Sequence, residues 1–217
     1  MHKYILIFSL IVVNLIFSQF GQPSSNLFKE DKQKKEKLDN EPEYIPAYDF
    51  NLSLFNELNQ DSTINLSSFK GSVVLLNFWA TWCGPCIAEI PEFNDLYDKH
   101  KSDDFEILGV TVSDNYQQLK RFTNKIEVKY KLLFGSSDDM SNVIQNYGGF
   151  YSVPVSYLIN REGFVVRGYP GAILGEYWTN LLRDDLLKFL TIPANDTDSN
   201  DSLKIKESSL SISLIFE

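Results

Sequence analysis

Seven consecutive residues, Val73-Val74-Leu75-Leu76-Asn77-Phe78-Trp79, carry one polar side chain among them, and Cys83-Gly84-Pro85-Cys86 follows four positions later. A short apolar run of this kind, closed by a turn, reads as a strand buried on both faces. From Gly84 onward the pattern reads as helix, with Pro85 in the first turn, where its missing N–H costs nothing. The two cysteines therefore sit at a strand-to-helix junction. Unpaired backbone N–H groups and the positive end of the helix dipole stabilise a thiolate at such a place. The second sulfur lies one turn on, close enough to close a small disulfide ring. The chain has only these two cysteines. A bridge enclosing two residues barely restrains an unfolded chain, so a dithiol that cycles between reduced and oxidised states explains the pattern better than a structural staple.

The chain can build a core around that junction. It has 217 residues, 43% of them hydrophobic and 14% aromatic, which excludes global disorder and fits one domain with extensions. The formal net charge of −9 argues against a nucleic-acid partner and against an electrostatic grip on anionic lipid. His2 and Lys3 precede an apolar stretch from Tyr4 to Phe17, broken by Ser9 and Asn14 and followed by Ser18 and Gln19. Residues 1–18 thus read as a secretory signal cleaved near Ser18, or as an uncleaved anchor, although the stretch is shorter than the ~20 residues of a membrane span. Export to the periplasm or cell envelope is the expectation. Residues 19–43 form a charged linker, with Lys29-Glu30-Asp31-Lys32 near its centre. The folded domain is expected over 44–192. Residues 193–217 form a polar linker and a C-terminal tail of unassigned role, in which Leu210, Ile212, Leu214 and Phe216 alternate as in a strand.

Within 44–192 the elements alternate. Residues 50–54 and 62–66 suit an antiparallel pair. A buried strand over 73–79, a helix over 84–99 and a strand over 105–112 follow. A helix over 115–125 and a short strand over 130–134 come next. Met140, Val143, Ile144 and Tyr147 recur at helical spacing behind Asp138 and Asp139. Val155–Ile159 and Phe164–Gly168 flank Asn160-Arg161-Glu162-Gly163, a hairpin signature. Leu174, Tyr177, Trp178, Leu181, Leu182, Leu186 and Phe189 mark the stripe of a last helix. This order predicts an α/β fold with a mixed central sheet, helices on both faces and an N-terminal β-hairpin extension.

Trp82-Cys83-Gly84-Pro85-Cys86 after a buried strand, with Val153-Pro154 before a late strand and hairpin, resembles the thioredoxin superfamily. Phe78-Trp79-Ala80-Thr81-Trp82-Cys83, Leu66-Ser67-Ser68-Phe69-Lys70-Gly71 and Tyr157-Leu158-Ile159-Asn160-Arg161-Glu162-Gly163 are most similar to its exported TlpA-like and ResA-like branch. The likeness spans roughly residues 46–190. It implies a thioredoxin-like fold and a thiol–disulfide oxidoreductase that needs no cofactor beyond its own cysteine pair.

Cys83, first in the motif, is expected to be the exposed attacking thiolate. Cys86 is expected to resolve the mixed disulfide. The acid that cytosolic thioredoxins place six positions before the first cysteine is here Asn77, which cannot titrate. Glu89 stands one helical turn past Cys86, and the ResA-like branch carries a glutamate at the matching place. Glu89 is therefore expected to be a partly buried carboxyl that relays the proton from Cys86, with an exposed helix glutamate as the plainer alternative. The resemblance implies a cis bond before Pro154 and a substrate-facing loop there, so that Val153 and Pro154 touch the partner. Trp82 offers an aromatic platform beside Cys83, and Trp79 is expected in the core. Phe150 and Tyr151 suit either the rim or the core. Pro91 is expected to kink the active-site helix, and His100 to lie on the surface.

Competing chemistries fare less well. Zinc would want further Cys or His ligands, and covalent haem attachment needs histidine where Ile87 stands. The residues before Cys83 lack the Pro-x-x-x-Thr-x-x-Cys pattern of peroxiredoxins. A copper chaperone using the two thiols alone stays open, as does the direction of exchange. Gly84-Pro85 between the cysteines favours a reductase over an oxidant or isomerase. The resemblance implies protein disulfides as clients, with apocytochrome c or other envelope proteins among them. For an exported reductase, the resemblance implies a membrane electron donor of the CcdA or DsbD type.

Overall fold

A computed structural model describes residues 44–56 and 62–192. The segments read as signal or anchor (1–18), charged linker (19–43) and C-terminal tail (193–217) lie outside the described residues. The elements run β1 (Ile45–Pro46), β2 (Asn51–Leu54), β3 (Thr63–Asn65), a 3-10 turn (Leu66–Phe69), β4 (Val73–Trp79), α1 (Gly84–His100) and β5 (Phe105–Thr111). They continue with α2 (Tyr116–Thr123), β6 (Lys131–Phe134), α3 (Ser137–Asn146), β7 (Val155–Ile159), β8 (Phe164–Pro170) and α4 (Gly175–Leu190).

Among the described residues, eight strands form one mixed sheet in the order β1-β8-β7-β4-β5-β6-β2-β3. The pairs β4–β5 and β5–β6 are parallel, and the remaining pairs are antiparallel. The expected hairpin extension is the β2–β3 pair, and it docks on β6. Sequence reasoning did not find β1, which pairs through two residues with the outer edge of β8. So short a strand carries no period to read. Its Pro46 suits an edge, where a missing donor is tolerated.

All seven residues of β4 are buried, because helices cover both faces. Side chains alternate along a strand. Val73, Leu75 and Trp79 accordingly join one cluster with Ile90 and Phe93 of α1, Phe122 of α2, and Leu182, Leu186 and Phe189 of α4. Val74, Leu76 and Phe78 face the other cluster, with Met140 and Val143 of α3 and Tyr147 just beyond it. Asn77 falls in the odd register, so the one polar side chain of β4 turns toward α1. That placement sets up the site.

α2 stops at Thr123, two residues before the expected end, with Asn124 as its C-cap. Its start is fixed by a capping box. Asn115 Oδ1 accepts from Gln118 N at 3.0 Å, and Gln118 Oε1 accepts from Asn115 N at 2.9 Å. α1 runs through Pro91 as one 17-residue helix. The proline leaves the Ile87 carbonyl without its usual helical donor.

Candidate active site

The three parallel strands end at one edge of the sheet, where ligand-handling loops gather in folds of this kind. β4 leads there into a tight turn in which Cys83 N–H donates to Ala80 O at 3.1 Å. Cys83 is the N-cap of α1. Its carbonyl accepts from Ile87 N at 3.1 Å, and its Sγ accepts from Cys86 N at 3.2 Å. Cys83 and Cys86 are joined, with their Cα atoms 5.3 Å apart.

The expectation of an exposed Cys83 is corrected. In this disulfide form the residue is 4% exposed and Cys86 1%. The N-cap conformation folds Cys83 Sγ back over the first helical turn, and the Val153 carbonyl oxygen lies 3.6 Å from it. The exposed element is Trp82, at 68%, whose indole N–H donates to Ser113 Oγ at 3.0 Å.

The Val153–Pro154 peptide is cis. Val153 is half-buried and touches both core clusters, and Pro154 is buried. The Pro154 carbonyl accepts from Gly171 N at 3.0 Å, which ties this loop to the segment leading into α4. Phe150 packs on Phe78 with ring centroids 5.0 Å apart, whereas Tyr151 is fully exposed. One aromatic thus serves the core and the other the surface. Trp79 is a core residue packed against Phe122, with tilted rings whose centroids are 5.1 Å apart. His100, expected on the surface, is buried at the end of α1, with Nδ1 3.0 Å from Asp103 Oδ2 and its ring edge-on to Phe105. The helix stripe Cys86, Glu89, Ile90, Phe93, Leu96, His100 carries it inward.

Glu89 lies on that same stripe and is 1% exposed, so the exposed-glutamate alternative is excluded. Its Oε1 accepts from Asn77 Nδ2 at 2.9 Å, and its Oε2 accepts from Ile173 N at 3.0 Å. Asn77 Nδ2 also donates to Ser156 Oγ at 3.0 Å. Burial pushes the Glu89 carboxyl up from 4.5 to about 7, against the opposing pull of the Ile173 and Asn77 hydrogen bonds. A buried carboxyl that titrates near neutrality, one turn below Cys86, can take up or give back a proton where a thiol changes state.

Sequence reasoning missed Asn77, Ser156 and Ile173 as partners of Glu89, and it missed Ser113 and Asp114 beside the redox turn. Asp114 is 3% exposed. Its place just past the end of β5, at the same sheet edge as the cysteines, is the signal that could have found it.

Comparison with known proteins agrees with this geometry. Residues 45–167 match the model of the AhpC/TSA family. ResA, a thiol-disulfide oxidoreductase of Bacillus thuringiensis subsp. konkukian, is 35% identical over 108 residues, which are 50% of this chain and 60% of that protein. The match thus spans less than two thirds of that relative. ResA of Bacillus anthracis is 30% identical over 188 residues, 87% of this chain and 98% of the relative. Among solved structures, a Chlorobium tepidum protein assigned as thiol:disulfide interchange protein DsbE superposes with a TM-score of 0.59 at 26% identity. That match covers 69% of this chain and 98% of the other. The exposed lipoprotein thioredoxin Etrx1 of Streptococcus pneumoniae superposes at 0.53 with 26% identity, covering 65% of this chain and 99% of the other. The peroxidatic pattern is missing here, since Leu76 and Ala80 stand where that pattern wants Pro and Thr. With a close cysteine pair capping α1, a buried glutamate beneath it and a relative matched almost end to end, the chain belongs to the AhpC/TSA family and, within it, to the ResA-like thiol-disulfide oxidoreductases.

Proposed function

We propose that this protein is an exported thiol-disulfide oxidoreductase that reduces protein disulfides. The observation that carries the reading is the joined Cys83–Cys86 pair on the N-terminus of α1, with buried Glu89 one turn beneath it. The Cys83 thiolate attacks one sulfur of a client disulfide, forming a mixed disulfide and releasing the client's other sulfur as a thiolate. Glu89 accepts the Cys86 proton. The Cys86 thiolate then attacks Cys83 Sγ, closing the Cys83–Cys86 ring and freeing the client's second sulfur. Two electrons pass to the client, and the proton held on Glu89 is returned to the departing thiolate.

Trp82 and the Val153-Pro154 loop flank the sulfurs and bind the client segment. The signal-like stretch over residues 1–18 supports export, and similarity to ResA supports apocytochrome c as one client. Outside the cytosol the pair is recharged by a membrane dithiol donor of the CcdA or DsbD type. Equilibration of the full chain with a dithiol buffer tests the direction. A reduction potential near roughly −270 mV is expected, and one near roughly −120 mV would make the protein an oxidant instead. Insulin reduction by the wild type but not by Cys83→Ser tests the activity itself.

A further inference from the structure

The redox turn is held from one side by a buried carboxylate that neither the sulfurs nor Glu89 touch. Asp114 Oδ2 accepts from Thr81 N at 2.7 Å and from Thr111 Oγ1 at 2.6 Å. Its Oδ1 accepts from Thr81 Oγ1 at 2.6 Å. Its own N–H donates back to Thr111 Oγ1 at 3.2 Å. Thr81 is the first central residue of the Ala80–Cys83 turn. The turn consumes the Cys83 N–H, leaving the Thr81 N–H and hydroxyl for Asp114. Val112 N–H donates to Trp79 O at 2.9 Å, and the neighbouring Ser113 receives the Trp82 indole. Hence the segment just past β5 grips three of the four residues before Cys83: Trp79, Thr81 and Trp82. Hydrogen bonds to a charged group are stronger than neutral ones, so the Asp114 bonds dominate that grip.

We propose that Asp114 is a positioning residue that locks the Ala80–Cys83 turn and so holds the Cys83 sulfur at the N-terminus of α1. The inference rests on the reading of Cys83 as the attacking thiol. A sulfur held there meets the Cys86 N–H and the positive dipole end, which is what favours its thiolate. Release of the turn lets the sulfur swing off that axis, and the thiolate loses stabilisation. Charge alone predicts the opposite sign, since removing a nearby carboxylate should favour a thiolate. The sign of the effect therefore separates positioning from electrostatics. Other titratable groups around the turn are Cys86 and Glu89 on α1; Arg121 on α2 and Lys125 just past its end line a groove of about 250 Å³ with Thr81. The loop over 150–154 contributes only Tyr151, and the loop over 171–173 contributes none.

The test is the rate of Cys83 alkylation by iodoacetamide against pH. The fully reduced full chain is used, with the labelled cysteine identified by mass spectrometry. Asp114→Asn and Thr81→Val are each expected to move the midpoint upward by about one pH unit. That shift slows labelling about tenfold below the midpoint and leaves the alkaline plateau unchanged. Thr81→Ser keeps the hydroxyl and is expected to titrate like the wild type. A lowered midpoint in Asp114→Asn, or an unmoved one in Thr81→Val, overturns the proposal. If Asp114→Asn fails to fold, Thr81→Val decides alone, because it deletes one hydroxyl and keeps the backbone bond. Failure of the underlying reading looks different: Cys83→Ser would then still reduce insulin.

Discussion

Replacing Glu89 by glutamine should change how stability depends on pH, and the size follows from the burial of its carboxyl. In the unfolded chain a glutamate ionises near 4.5, whereas in the folded protein desolvation holds this one at about 7. Between those values the folded state keeps a proton that the unfolded chain has already lost. Stability therefore falls as pH rises across this window. The contribution is fully present below about 4.5 and lost once the carboxylate forms in the core, a change of about 3 kcal/mol. Glutamine cannot ionise, so it removes the slope. It also has a fixed cost, because one carboxylate oxygen facing Asn77 or Ile173 becomes an amide that cannot accept, worth about 1–3 kcal/mol at any pH.

The assay is urea unfolding of the oxidised wild type and Glu89→Gln at pH 5, 6, 7 and 8. The oxidised form keeps both cysteines from titrating. The difference between the two proteins cancels the other ionisable groups, including Asp98 and Asp139, whose carboxyls are held below the usual range by hydrogen bonds from Lys101 and from Ser136. The wild type is expected to lead at pH 5 and to lose most of that lead by pH 8. A difference that stays constant across the four pH values would refute the burial argument and, with it, the proton-relay role of Glu89.

Three further outcomes follow from named contacts. Cys86→Ser should accumulate a mixed disulfide with client protein, visible as a thiol-sensitive adduct on a non-reducing gel, because nothing resolves the bond to Cys83. Asn94→Ala should cost about 2–3 kcal/mol in urea unfolding: Asn94 Nδ2 donates to Glu127 O and its Oδ1 accepts from Lys129 N, both at 2.9 Å, and both backbone groups would lose their partner. Gly109→Ala should cost about 1–3 kcal/mol, measured in the same way, because the added methyl would sit 2.9 Å from Leu132 Cδ2 and 3.1 Å from Tyr130 Cε2 in the packed core.

What could be read from the sequence divides along a physical line. Every element with a strong local pattern was legible: the seven-residue buried strand, the helix opened by Gly84-Pro85, and the hairpin around Asn160-Arg161-Glu162-Gly163, which closes with Gly163 N on Asn160 O at 3.0 Å. β1 was not, because two residues hold no period and its pairing is set by the free edge of β8. The docking of the β2–β3 hairpin on β6 was not legible either, since the hairpin's own alternation says nothing about its neighbour. At the site, the cysteines and Glu89 were legible because they share one helix, where a spacing of three residues is a statement about space. Asp114 lies 31 residues beyond Cys83 in sequence, and it meets the redox turn only because β4 and β5 are parallel neighbours in register.

The same contrast explains how this site keeps a buried acid usable. A carboxylate in a dry core is tolerated only when donors reach it, and those around Glu89 come from β4 through Asn77 and from the segment before α4 through the Ile173 N–H. Asn77 brings an amide where cytosolic thioredoxins bring the acid itself, so the strand supplies the donor and the helix supplies the carboxyl. Ser156 on β7 accepts from the same Asn77 amide nitrogen, which orients the amide with its donors toward the carboxyl. The acid stands on the first turns of α1 one turn past Cys86, and the hydrogen bonds from Asn77 and Ile173 only partly offset its desolvation. A carboxyl at that place, raised by burial to about 7, changes protonation near neutral pH one helical turn past Cys86.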